Sequence, residues 1–204
     1  MKQPTLILWA IACPFFIFAN ERAPVGQAPS QKQIIHTNSF VFDRFPEISE
    51  KVSTHKITTV AEEEKTIELS DGSLWNVSLF DRYKVKNWSS NHRILLTQNP
   101  RWFSKSIYRL INQDTGSTVD VSLVDGPWID AANSLKIKNL DLSAQKIELS
   151  DGTFLEICDS DQNFLSTWKI DDFIILGFNS GSEKHHETLV LNVRANNHTQ
   201  AKKN

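Results

Sequence analysis

Six histidines, two cysteines and several clustered carboxylates are the residues of this 204-residue chain that could perform chemistry. The histidines stand at 36, 55, 92, 185, 186 and 198. His185 and His186 are adjacent, so on a strand they would point to opposite faces and could not share a metal. They fall in the polar stretch NSGSEKHHE, which reads as a solvated loop. Glu62, Glu63 and Glu64 offer oxygen ligands of the kind calcium takes, but a charged turn accounts for them equally well. Cys158 would need a neighbouring base to act as a nucleophile, and no local motif supplies one. Asp81 and Asp161 suit helix N-caps. The chain has no GxSxG, HExxH, P-loop or paired CxxC. The sequence therefore assigns no catalytic residue, no metal ligand and no cofactor. Binding is better served by tryptophan. Trp102 and Trp128 lie in the irregular stretches NPRWFSKS and DGPWIDA, and exposed loop aromatics mark contact surfaces for a protein or a glycan. They would alternatively cover a seam between two structural units.

Two units are what the spacing demands. IELSDG occurs at 67–72 and again at 147–152. Residues 56–112 align with 136–192 without a gap, and 14 of the 57 positions are identical. The matches include Asp81 with Asp161, Trp88 with Trp168, Asn99 with Asn179, and Asn112 with Asn192. This is the signature of an internal tandem duplication.

The pattern inside one unit predicts its elements. Around Ser70-Asp71-Gly72, a three-residue loop places Ile67 and Leu69 on one face with Trp75 and Val77, as the period-two pleat requires. Such a loop ends on a residue in the left-handed conformation, and Gly72 is there. Ile147, Leu149, Leu155, Ile157 and Gly152 repeat the logic. SDG is thus a turn signature, with Asp71 and Asp151 as turn residues. DRYKVKNW and DQNFLSTW each predict one short helical turn, with Trp88 and Trp168 as core anchors. KITTV, RILL, SIYRLIN and STVDVSLV supply the remaining strands of the first unit, and KIKNL, FIIL, HETLVLN and HTQAKKN those of the second. The expected fold is all-β: two tandem copies of a small curved β-sheet or barrel unit, SH3-like or OB-like, each with one short helical turn. The units span 56–124 and 136–204, joined by a connector at 125–135. A unit of ~60 residues is marginal alone, so the two copies should pack together. Residues 20–55 are polar, carry three prolines and read as a flexible leader.

The first 19 residues differ from the rest. LILWAIACPFFIFA is an unbroken apolar run, shorter than the ~20 residues that span a bilayer. With Lys2 before it and Ile17 and Ala19 at its end, it reads as a signal peptide cleaved near Ala19. An uncleaved anchor is one alternative. A lipoprotein at Cys13 is another, disfavoured by Ala10 at the usual leucine position and by the apolar residues that follow. Cleavage removes one lysine and takes the net charge from −2 to −3, leaving no basic surplus to meet nucleic-acid phosphates and no stable membrane span. It also leaves Cys158 as the one cysteine, so no internal disulfide can form. A secreted domain without bridges points to a bacterial source rather than to the disulfide-rich domains of animals.

The motifs DGSLWNV, DRYKVKNW, NPRWFS and YRLIN together resemble an uncharacterised family of small secreted tandem-repeat β proteins from obligate intracellular bacteria. The resemblance covers about residues 56–200. In the second copy Leu155 replaces the tryptophan, and NSGSEKHH replaces the segment around Trp102. The family implies structural motifs and no particular activity. The expected role is a secreted or periplasmic, non-enzymatic module of a bacterial envelope or its exterior that binds a partner protein or glycan. A hydrolase of wall or glycan is the alternative, as is a structural envelope component.

Overall fold

Ser70, Asp71 and Gly72 form the three-residue loop that the alternation requires. In the computed structural model of the chain, Leu69 N–H donates to Ser73 C=O at 3.0 Å and Gly72 N–H to Leu69 C=O at 2.8 Å. Gly72 and Gly152 both adopt φ +84°, the region where a Cβ is penalised. The structure describes residues 54–61, 63, 65–101, 104–129, 131, 133–179 and 186–204, all within the unit His36–Asn204. The apolar segment 1–19, most of the leader, Trp102, His36 and His185 lie outside the described residues.

The first unit holds six strands: β1 (His55–Val60), β2 (Thr66–Leu69), β3 (Leu74–Val77), β4 (Arg93–Gln98), β5 (Tyr108–Asn112) and β6 (Thr118–Asp125). The second holds β7 (Leu135–Asp141), β8 (Lys146–Leu149), β9 (Phe154–Ile157), β10 (Phe173–Phe178), β11 (Thr188–Asn192) and β12 (Asn197–Lys203). The first set pairs in the order β1-β2-β3-β6-β5-β4 and closes through β1–β4; the second follows β7-β8-β9-β12-β11-β10 and closes through β10–β7. Each is therefore a closed six-stranded barrel. Bulges between Ile57 and Thr59 and between Ile137 and Asn139 bend β1 and β7 at equivalent points, as barrel corners need. A 3-10 turn, Leu79–Asp81, runs into the single-turn helix α1 (Arg82–Val85), and Asp159–Asp161 runs into α2 (Gln162–Leu165).

The residues shared by both units have structural work. Ile67, Leu69, Trp75 and Val77 are buried in the first barrel, and Ile147, Leu149, Leu155 and Ile157 in the second. Trp88 and Trp168 are buried, and each satisfies its indole N–H at 2.7 Å, on Ser117 Oγ and Asn197 Oδ1 respectively. The hydroxyls of Ser70 and Ser150 accept from the backbone N–H of Lys56 and Lys136 at 3.2 and 3.1 Å. Asn99 and Asn179 donate to Ser106 C=O and His186 C=O, holding the loops that leave β4 and β10. Asn112 and Asn192 are wholly buried, and their side-chain oxygens accept backbone N–H groups of the following turns. Asp81 and Asp161 correct one expectation. They occupy the N-cap positions of α1 and α2 but make no side-chain cap hydrogen bond. Their carboxylates reach the sheet instead, accepting Asp120 N–H at 2.9 Å and Gln200 N–H at 3.0 Å. Burial would raise the Asp81 carboxyl, but the Lys84 ammonium and the Asp120 N–H outweigh it and hold the group below the usual carboxylate range.

The barrels meet along β4 and β10, which pair in parallel through Thr97 and Phe178. FIIL and LVL are continuous apolar runs because both faces of β10 and β11 are covered. Ile174, Leu176 and Val190 fill the second barrel, while Ile175, Leu189 and Leu191 join the buried cluster of the first.

The two loop glycines make unequal demands. A Cβ on Gly72 would lie 2.9 Å from Trp128 Cγ and 3.0 Å from its backbone nitrogen, whereas one on Gly152 meets nothing within 4 Å. Gly152→Ala should cost about 1–2 kcal/mol, the left-handed penalty alone. Gly72→Ala should cost measurably more in the same denaturant titration, because Trp128 must also move.

Candidate functional site

Among the described residues, two recesses bring titratable groups together, and both form where the barrels adjoin. The larger, about 370 Å³, lies between β5 of the first barrel and α2 and β12 of the second. Tyr108, Asp161 and His198 line it, with Phe164. Tyr108 is placed by the inward alternation of β5, where its ring meets Trp75 edge-on at 5.7 Å between centroids. Its hydroxyl lies 3.3 Å from His198 Nδ1. Burial raises the Tyr108 hydroxyl well above the ordinary tyrosine value. Burial also lowers His198, with the Asp161 charge opposing. Both shifts favour neutral partners, and the tautomer of His198 sets which of the two donates. Asp161 is itself engaged, by Thr199 Oγ at 2.7 Å as well as by the Gln200 N–H. The arrangement presents a hydroxyl, a ring nitrogen and a carboxylate to one recess.

The second recess, about 300 Å³, gathers His55, Ser70, Asp71 and Asp151. Both SDG turns thus face one space, which local sequence could not foretell. Asp71 and Asp151 behave as turn residues, accepting the N–H of Ser73 and of Thr153, each at 2.9 Å. Asp71 does more than its copy. Trp75 Nε1–H donates to Ser73 Oγ at 2.8 Å, and that hydroxyl donates to Asp71 Oδ1 at 2.6 Å. Asp71 Oδ2 lies 3.6 Å from His55 Nδ1, and His55 Nε2–H donates to Leu176 C=O of the second barrel at 2.7 Å. The second unit has Leu155 and Leu135 in place of Trp75 and His55, and a pair of leucines can form no such chain.

Trp128 remains 61% exposed, yet its edge packs over Gly72 and its N–H donates to Asp71 C=O at 3.3 Å. It is a connector residue seated on the first barrel's turn with a free face. Cys158 is buried, with its sulfur 3.3 Å from Ser160 Oγ, and lines neither recess. Among the described residues no group of three histidine, cysteine or acidic side chains is placed to hold a metal, and no helix is long and apolar enough to cross a membrane.

Sequence reasoning missed one surface. Leu79, Phe80 and Tyr83, on the 3-10 turn and α1, are 69%, 84% and 66% exposed. Their counterparts are Asp159, Ser160 and Asn163, all exposed and polar. The repeat alignment contains this contrast, so comparing the copies for differences rather than identities would have found it.

No family model, curated protein or solved structure matches the chain.

The His55 contact has a measurable consequence. His55→Leu installs the residue of the second copy but leaves the Leu176 carbonyl without its donor. A buried acceptor stripped of its partner costs about 1–3 kcal/mol, and urea unfolding should show that loss.

Proposed function

We propose that this protein is a secreted, non-enzymatic binding module of a bacterial envelope or its exterior, built from a tandem duplication and engaging a partner protein or glycan. On this reading the apolar N-terminal run is a signal peptide removed near Ala19, and the motif resemblance to secreted doublet proteins of obligate intracellular bacteria supports the setting. The observation that carries the reading is the exposure of Leu79, Phe80 and Tyr83. The second barrel builds the same turn with Asp159, Ser160 and Asn163. The fold therefore does not require apolar side chains there, and contiguous exposed apolar groups on a soluble surface mark contact sites. Aromatic residues also dominate the energetics of protein interfaces. Trp128, in the connector, adds another exposed aromatic, and Trp102 belongs to the same proposal.

The second copy supplies replacements that keep the fold. The triple variant Leu79→Asp, Phe80→Ser, Tyr83→Asn should retain the circular dichroism and thermal midpoint of the parent. Against a partner isolated from envelope fractions or host extracts, calorimetry should show at least a hundredfold loss of affinity, since anchor residues each contribute about 2 kcal/mol or more. Undiminished binding by the triple variant, and by Trp102→Ala and Trp128→Ala, would remove the basis of the proposal.

A further inference from the structure

The cleft between β5 and β12 has a lining that selects among ligand classes. Its volume of about 370 Å³ falls in the ~300–1,000 Å³ range of small-molecule sites. Among the described residues that line it there is no lysine or arginine, so nothing neutralises a phosphate or sulfate. It has one carboxylate, Asp161, already accepting two hydrogen bonds at Oδ2, which is too little for a cation. What the lining does offer is amides. Gln98 and Asn196 are exposed at its rim. Gln200 spends its side-chain oxygen on Asn179 at 2.8 Å and keeps its NH₂. An amide presents a donor and an acceptor on one side chain, the combination that complements a hydroxyl. Apolar surface stands beside these groups: Phe164 is 45% exposed and Ile107 is 49% exposed. Polar groups matched to hydroxyls next to an aromatic ring fit a neutral polyhydroxylated ring with one apolar C–H face.

The contrast between copies strengthens the case. Phe164 stands where the first barrel has Lys84, and Asn196 where it has Gly116. Asn196 sits at φ +49° and Gly116 at φ +70°, so Asn196 holds a left-handed position that glycine fills without penalty. Neither Phe164 nor Asn196 is demanded by the barrel.

We infer that this cleft is a saccharide subsite, in which Phe164 stacks on the apolar face of a pyranose while Gln98, Asn196 and Gln200 bond its hydroxyls. This deepens the binding-module reading and rests on it, naming a glycan at a place separate from the apolar turn of the first barrel.

The cleft carries its own reporter. Asn197, which lines it, accepts the Trp168 indole N–H at 2.7 Å, whereas the Trp88 indole donates to Ser117 in the other barrel. Isotope-labelled protein should be titrated with β-linked glucose and N-acetylglucosamine trimers to ~10 mM, ten times the concentration that half-fills a weak ~1 mM site. The Trp168 indole resonance should move while that of Trp88 stays. Phe164→Lys and Asn196→Gly, both taken from the first copy, should each weaken binding at least tenfold with the fold intact. No shift with either trimer overturns the inference, as does unchanged affinity in both variants. The triple variant of the apolar turn should bind the trimers normally. If the trimers fail while a partner still binds through Leu79, Phe80 and Tyr83, the cleft is wrong and the module reading stands; failure of both removes both.

Discussion

Two small barrels become one molecule because their backbones meet where only glycine fits. A Cβ on Gly177 would lie 2.4 Å from the Leu96 carbonyl oxygen, a distance that backbone cannot yield cheaply. The equivalent residue of the first unit is Thr97, and position 177 has no room for its side chain where β4 and β10 come together. The approach lets Ile175, Leu189 and Leu191 enter the buried cluster of the first barrel and brings Leu176 C=O to His55. Units of this size bury a modest share of their surface alone. The shared seam supplies what each lacks, and both recesses exist because of it.

Two barrels of the same strand order give an internal comparison that separates scaffold from specialisation. Positions identical in both units close loops, fill cores or satisfy buried backbone, from Ser70 and Ser150 to Asn112 and Asn192. Even a changed residue can keep its task. His92 Nδ1 and Asp172 Oδ2 occupy equivalent places, each meeting the side-chain amide of the asparagine at the end of β5 or β11. Where the chemistry differs, as at Leu79, Phe80, Tyr83, Phe164 and Asn196, the two barrels keep the same backbone with different side chains.

Much of the fold was legible because its signals are local. The loop at Ser70–Gly72 follows from period-two alternation and one left-handed residue, and the apolar runs at 173–176 and 189–191 follow from burial on two faces. The capping role for Asp81 and Asp161 was the natural local inference, and it failed because each carboxylate found a backbone N–H 39 residues away. The cleft was invisible for the same reason. Tyr108 and His198 are 90 residues apart and meet only across the seam, so no spacing rule joins them. Trp128 was legible as an exposed aromatic but not as the residue that packs on Gly72, since that contact depends on the path of the connector.

The dependence of both barrels on one seam is tested most directly at Gly177. Denaturant unfolding should be followed by nuclear magnetic resonance at the Trp88 and Trp168 indoles, which report on separate barrels. The account predicts coincident transitions in the parent protein. Gly177→Thr, the first-barrel residue, should lower both midpoints together, with a loss of about 3 kcal/mol or more in unfolding free energy, the upper end of the cost of overpacking. Separate midpoints for the two indoles, or a Gly177→Thr variant as stable as the parent, would contradict it.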